Sequence, residues 1–126
     1  MEKLYQWMDA HADELVEAAA RLIKINSVGG EAENGHPFGA CVAAALDAAH
    51  AIAERWGLAT HNHEYYVGTA QLGEGEPRLG VLCHLDTVPL GVGWTHDPLG
   101  AEIVDGKMYG RGTTDDKGPA AATLFA

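Results

Sequence analysis

The sequence predicts an α/β fold, and three observations carry that prediction. Apolar residues recur at three- and four-residue spacing through the first 56 residues, the period of amphipathic helices. After Gly57 the pattern changes to short runs with β-branched and aromatic residues, separated by glycine-rich turns. The last stretch, KGPAAATLFA, returns to helix-forming composition.

The first helix is expected over about residues 3–25, with Leu4, Met8, Leu15, Val16, Ala19, Leu22 and Ile23 as its apolar face. NSVGGEAENGHP, residues 26–37, carries glycine, asparagine and proline where a helix would fail, and reads as a loop. A second helix is expected over about residues 38–56, with Val42, Leu46, Ala49, Ile52, Ala53 and Trp56 on one side. Gly57 stands where a C-terminal glycine would close it. THNHEYYVGTAQL is strand-like, GEGEP at 73–77 is a turn, and LGVLCHLDTV is an apolar run that suits a central strand covered on both faces. In AEIVDGKMYG, Asp105-Gly106 meets the positive φ angles of a type I′ hairpin. Pro119 falls where a first helical position tolerates its missing N–H. Neither an internal repeat nor an interdomain linker is visible.

Composition narrows the function classes. A chain of 126 residues, 47% hydrophobic and 21% charged, is globular and long enough to bury a core. Eighteen acidic residues against eight basic ones give a formal charge of −10, a field that repels phosphate backbones and anionic membranes. No nucleic-acid or membrane partner is therefore expected. The N-terminus shows no secretory signal pattern, and no run approaches a membrane span. A cytoplasmic, reduced protein is expected, with Cys41 and Cys83 as small buried hydrophobes.

The chemistry concentrates in two places. In VLCHLDTV, His84 and Asp86 are two apart, so on a strand they share one face, at the end where α/β sheets place ligands. The pair reads either as a metal ligand with its orienting carboxylate or as a structural His–Asp hydrogen bond, and spacing alone favours the second. In GRGTTDDKGP, Asp115 and Asp116 repel each other unless a cation or Lys117 is near; a solvated turn is the alternative. Lys117 followed by Gly118 excludes a Walker loop, and aspartate at 115 excludes a dinucleotide fingerprint. Together, His84, Asp86 and Asp115 make an imidazole-carboxylate set that suits zinc or manganese, but too few donors to close a site.

The stretch VLCHLDTVPLGVGWTHDPLGAEIVDGKMYGRGTTDDKGP closely resembles the co-catalytic metallopeptidase family of carboxypeptidase G, aminoacylase, succinyl-diaminopimelate desuccinylase and carnosinase-type dipeptidases. GWTHDP, DGKMYGRG and DDKGP look most like its bacterial Xaa-His dipeptidase branch. The resemblance implies that residues 1–126 are the N-terminal portion of a three-layer α/β/α, zinc-exopeptidase-like catalytic domain, with two helices leading into a mixed sheet with a hairpin. It implies two divalent metal ions, zinc first, with manganese or cobalt as alternatives. His84 would be a ligand of one ion, Asp115 would bridge both, and Asp86 would be the catalytic-centre aspartate that supports His84. Asp116 would be a neighbour joined to Asp115 by a cis peptide.

The implied substrate is a dipeptide, with N-acyl-amino-acid amides as the runner-up and a non-enzymatic binding module as the reading from another class. The family pattern also carries a Glu-Glu pair, a further acidic ligand and a late histidine, all downstream of the D-D-K-G motif. None occurs between Lys117 and Ala126. This 126-residue chain alone is therefore expected to be inactive and to self-associate. None of His36, His50, His61, His63 and His96 falls at a family ligand position. Trp94 and Pro98 read either as the loop wall beside the site or as simple packing.

Overall fold

A computed structural model describes residues 2–126. The elements are α1 (Glu2–Ile23), α2 (Ala40–Arg55), β1 (Ala59–His63), β2 (Val67–Gln71), β3 (Glu102–Val104), β4 (Lys107–Tyr109) and α3 (Lys117–Phe125), an α/β arrangement as the sequence predicts.

The core gathers where the three helices meet. Ala18, Ala19, Leu22 and Ile23 of α1 pack with Ala48 and Ile52 of α2 and Ala121 of α3. Alanine dominates this set, so the helices approach closely and little side-chain entropy is lost on burial. Only the C-terminal half of α1 is buried. Leu4 and Met8, expected on the apolar face, are 50% and 49% exposed. The reason is length: at ~1.5 Å per residue, the nine residues of α3 cannot cover the 22 of α1.

Helix α2 ends as its glycine predicts. Gly57 adopts φ 80°, its N–H donates to Glu54 O at 2.9 Å, and Leu58 N–H donates to Ala53 O at 3.1 Å. That is a Schellman motif. Pro119 is the third residue of α3 rather than the first, still inside the turn whose N–H groups lack helical partners.

The strands form two separate antiparallel hairpins. β1 pairs with β2 in the register Ala59↔Gln71 to His63↔Val67, and β3 pairs with β4 from Glu102↔Tyr109 to Val104↔Lys107. Asp105 (φ 50°) and Gly106 (φ 74°) make the turn read from the sequence. The central run departs from expectation. LGVLCHLDTV contains no strand apart from an isolated parallel bridge, Val28↔Thr87. Leu79 is 85% exposed and Leu82 93%. A strand exists only through its neighbours' hydrogen bonds, and neither hairpin lies alongside this segment. Cys41 is exposed and Cys83 half-buried, so neither is the buried hydrophobe expected of it. For Cys41 the cause is its place on the outer side of α2, one residue past the start.

Candidate functional site

The loop that follows α1 assembles the site. Ser27 is fully buried; its Oγ donates to Leu85 O at 2.6 Å, and its carbonyl accepts Thr87 N–H at 3.0 Å. Those bonds fix the chain on both sides of Asp86. Two residues earlier, Ile25 O accepts the Lys117 ammonium at 2.7 Å. One short segment thus holds both halves of the sequence motif, 84–87 and 115–117.

Within that frame the two halves meet. His84 Nε2 lies 2.9 Å from Asp115 Oδ1, while its Nδ1 lies 3.1 Å from Asp86 O and 3.2 Å from Asp86 Oδ1. The hydrogen bond to Asp115 raises the His84 pKa above the usual imidazole value. Asp86 adds to that rise through its carbonyl and its charge, and burial opposes it. His84 and Asp115 remain open to solvent, with side chains 49% and 86% exposed. The Asp115–Asp116 peptide is cis.

Sequence reasoning treated Asp116 as a bystander, but its Oδ2 accepts the His84 backbone N–H at 3.1 Å. No pattern signalled that bond, which spans 32 positions. The aspartate pair divides its work between the imidazole and the backbone of one residue. Lys117 was a candidate counter-ion for the pair. It is instead fully buried with its ammonium on Ile25 O, and burial lowers its pKa to about 8.

His84, Asp86 and Asp115 line a cavity of about 350 Å³ together with Trp94 and Arg111. Trp94 Nε1 donates to Leu90 O at 2.6 Å, Arg111 Nη2 donates to the same carbonyl at 3.0 Å, and the guanidinium sits 5.2 Å from the indole centroid. This clamp folds residues 90–94 over the site. Trp94 is a wall, as expected, whereas Pro98 supports from behind, its carbonyl accepting Arg111 N–H at 2.7 Å. Arg111 escaped notice in the sequence, although an arginine between two glycines is a signal of close approach. His96 is held away by Glu102 at 2.8 Å and stacks on Tyr109 at 3.9 Å.

Residues 80–126 match the model of peptidase family M20/M25/M40. This segment is similar to the M20 peptidases. The M20 segment contains every residue of the candidate site except the Ile25–Ser27 support. Relatives extend the likeness over most of the chain. A Bacillus subtilis (strain 168) protein named "Putative dipeptidase YtjP" is 43% identical over 116 residues, 90% of this chain and 25% of that protein. A similarly named Staphylococcus saprophyticus protein is 38% identical over 125 residues, 95% of this chain and 27% of its own. A Staphylococcus epidermidis "Putative dipeptidase" is 35% identical over 118 residues, 92% of this chain and 25% of its own. The chain spans about a quarter of the length of these relatives.

The donor chemistry fits a divalent cation in part. An imidazole nitrogen and a carboxylate oxygen converge at 2.9 Å, and a second carboxylate stands behind the ring. That is the arrangement in which a carboxylate orients a metal-binding histidine. Among the described residues, no group of three or more His, Cys, Asp or Glu side chains could enclose an ion. Two candidate donors and one carboxylate behind the ring come together among the described residues without enclosing a site.

Proposed function

We propose that the protein containing this sequence is a metal-dependent dipeptidase, and that His84 and Asp115 are ligands in its dinuclear centre. The observation that carries the reading is the approach of His84 Nε2 to Asp115 Oδ1 on the cavity wall, inside a segment matched to a peptidase family. Zinc suits the mixed nitrogen and oxygen donors best, and manganese or cobalt would be accepted by the same set. Bound there, such ions would supply Lewis acidity toward a peptide carbonyl and would lower the pKa of water.

This chain's residues prepare that chemistry. Asp86 takes the Nδ1 side of His84, which leaves the Nε2 lone pair for a ligand bond when the ring is neutral. Asp116 anchors the backbone N–H of His84, and Ser27 anchors Leu85 and Thr87 on either side of Asp86. Together they restrict the imidazole in position and rotation. The Trp94–Arg111 clamp gives the cavity an apolar wall that would exclude water on one side.

We further propose that residues 1–126 form the N-terminal portion of a catalytic domain. By themselves they would be catalytically silent, since the described residues bring together only two ligands and an orienter. The test is hydrolysis of a dipeptide panel by the full-length protein, after chelation and after return of zinc, manganese or cobalt. The expected result is loss on chelation, recovery with metal, and loss of at least about 100-fold in kcat/KM for His84→Ala and Asp115→Ala. Hydrolysis that survives chelation would sink the metal reading. Cleavage of N-acyl amino acids but not dipeptides would replace the substrate class. Absence of both activities, with metal retained, would favour a binding module.

A further inference from the structure

A second group of nitrogen donors lies outside the cavity, on the first hairpin. β1 alternates in burial, with His61 and His63 exposed and their strand neighbours Thr60 and Asn62 half-buried. The inner face is settled by Gly68, the partner of Asn62, where an added Cβ would meet side-chain atoms of Leu46 and His50 from α2. His61 and His63 therefore project from the opposite face. Their ring centroids are 4.4 Å apart at an interplanar angle of 71°.

Across the hairpin, Thr69 pairs with His61, and its Oγ1 lies 3.2 Å from His63 Nε2. In the tautomer that donates from Nε2, the lone pair of His63 is on Nδ1 and unspent. A carboxylate, carbonyl or hydroxyl oxygen on the far nitrogen is how metal-binding imidazoles are usually oriented.

We propose that His61 and His63 form a two-imidazole chelate for a borderline divalent cation of the nickel, copper and zinc series, separate from the candidate centre at His84. Metal–nitrogen bonds of ~2.0–2.1 Å require two donor nitrogens within about 4 Å of each other, and these ring centroids stand 4.4 Å apart. Paired antiparallel backbone holds the two Cα positions in register, so the second imidazole binds at high effective concentration once the first is engaged. Water completes the coordination. Imidazole selects nickel, copper and zinc over magnesium and calcium. The formal charge of −10 raises the local cation concentration around the whole chain. Neither histidine lines the cavity that contains His84, so the pair stands whether or not the peptidase reading holds.

The probe is Ni²⁺, whose paramagnetism broadens nearby resonances, added below one equivalent to the ¹⁵N-labelled full-length protein. Broadening is expected to centre on the amides of residues 60–64 and on Thr69, and to persist in a chain carrying His84→Gln and Asp115→Asn. Calorimetric Ni²⁺ affinity should fall by at least about 10-fold in His61→Thr and again in His63→Thr, both of which keep a strand-compatible side chain. Broadening centred elsewhere, or affinity unchanged by both threonine variants, would overturn the proposal. Should a variant fail to fold, the broadening pattern of the unaltered chain decides the matter alone.

Discussion

His84 is held by three carboxylates and a carbonyl: Asp115 at Nε2, Asp86 through its side chain and carbonyl at Nδ1, and Asp116 at the backbone N–H. His84, Asp86 and Asp115 were singled out through the resemblance to a family's motifs, whereas local spacing alone left a structural His–Asp bond and a solvated turn open. Asp116 and Ser27 were not legible, because their roles consist of bonds that span 32 and 58 positions. Ser27 offers a direct test of that long-range support. Ser27→Ala leaves the half-buried Leu85 O without its side-chain donor, and losing such a bond costs about 0.5–1.5 kcal/mol. Chemical denaturation should show that loss, and His84 ring resonances should broaden. Unchanged His84 resonances would show that the loop does not position the imidazole.

The elements differ in how much of their form is local. The Schellman end of α2 and the Asp105-Gly106 turn depend on neighbouring residues, and both formed where the sequence placed them. Gly57→Ala should destabilise the fold by ~1 kcal/mol through its φ of 80° alone, read as a lowered denaturation midpoint. Gly118 is tighter: a Cβ there would run into the carbonyl oxygen of Thr113, in the turn that leads to the aspartate pair. Gly118→Ala should therefore cost more than Gly57→Ala and displace Asp115. Equal costs for the two variants would remove steric crowding as the cause. The central run behaves in the opposite way. Its composition was read as a central strand, yet composition supplies no hydrogen-bond partner, and the segment forms no strand and is largely exposed.

At the scale of the molecule, the helical core is small and the apolar surface is large. Ile52, 5% exposed and central to the core, should lose about 2–4 kcal/mol on Ile52→Ala, by transfer and cavity terms together. Leu79, Val81 and Leu82 lie open along a segment whose backbone lacks strand partners, a template for pairing with another chain. The 126-residue chain should therefore sediment as a distribution of oligomers, and Leu79→Lys with Leu82→Lys should move it toward monomer. A monodisperse unaltered chain would remove self-association from the account. By itself the sequence determined the α/β class, both helix-rich ends and the tight turns, and its resemblance to a metallopeptidase family singled out His84, Asp86 and Asp115 as candidates. Each of these follows from periodicity, from φ requirements at single residues, or from motifs read within a few positions. The tertiary structure alone decided that Lys117 turns away from the aspartates to Ile25, that Asp116 binds the His84 backbone, and that Arg111 clamps Trp94 over the cavity. Those outcomes depend on which distant groups become neighbours, and burial and hydrogen-bond satisfaction choose those neighbours only once the chain has folded.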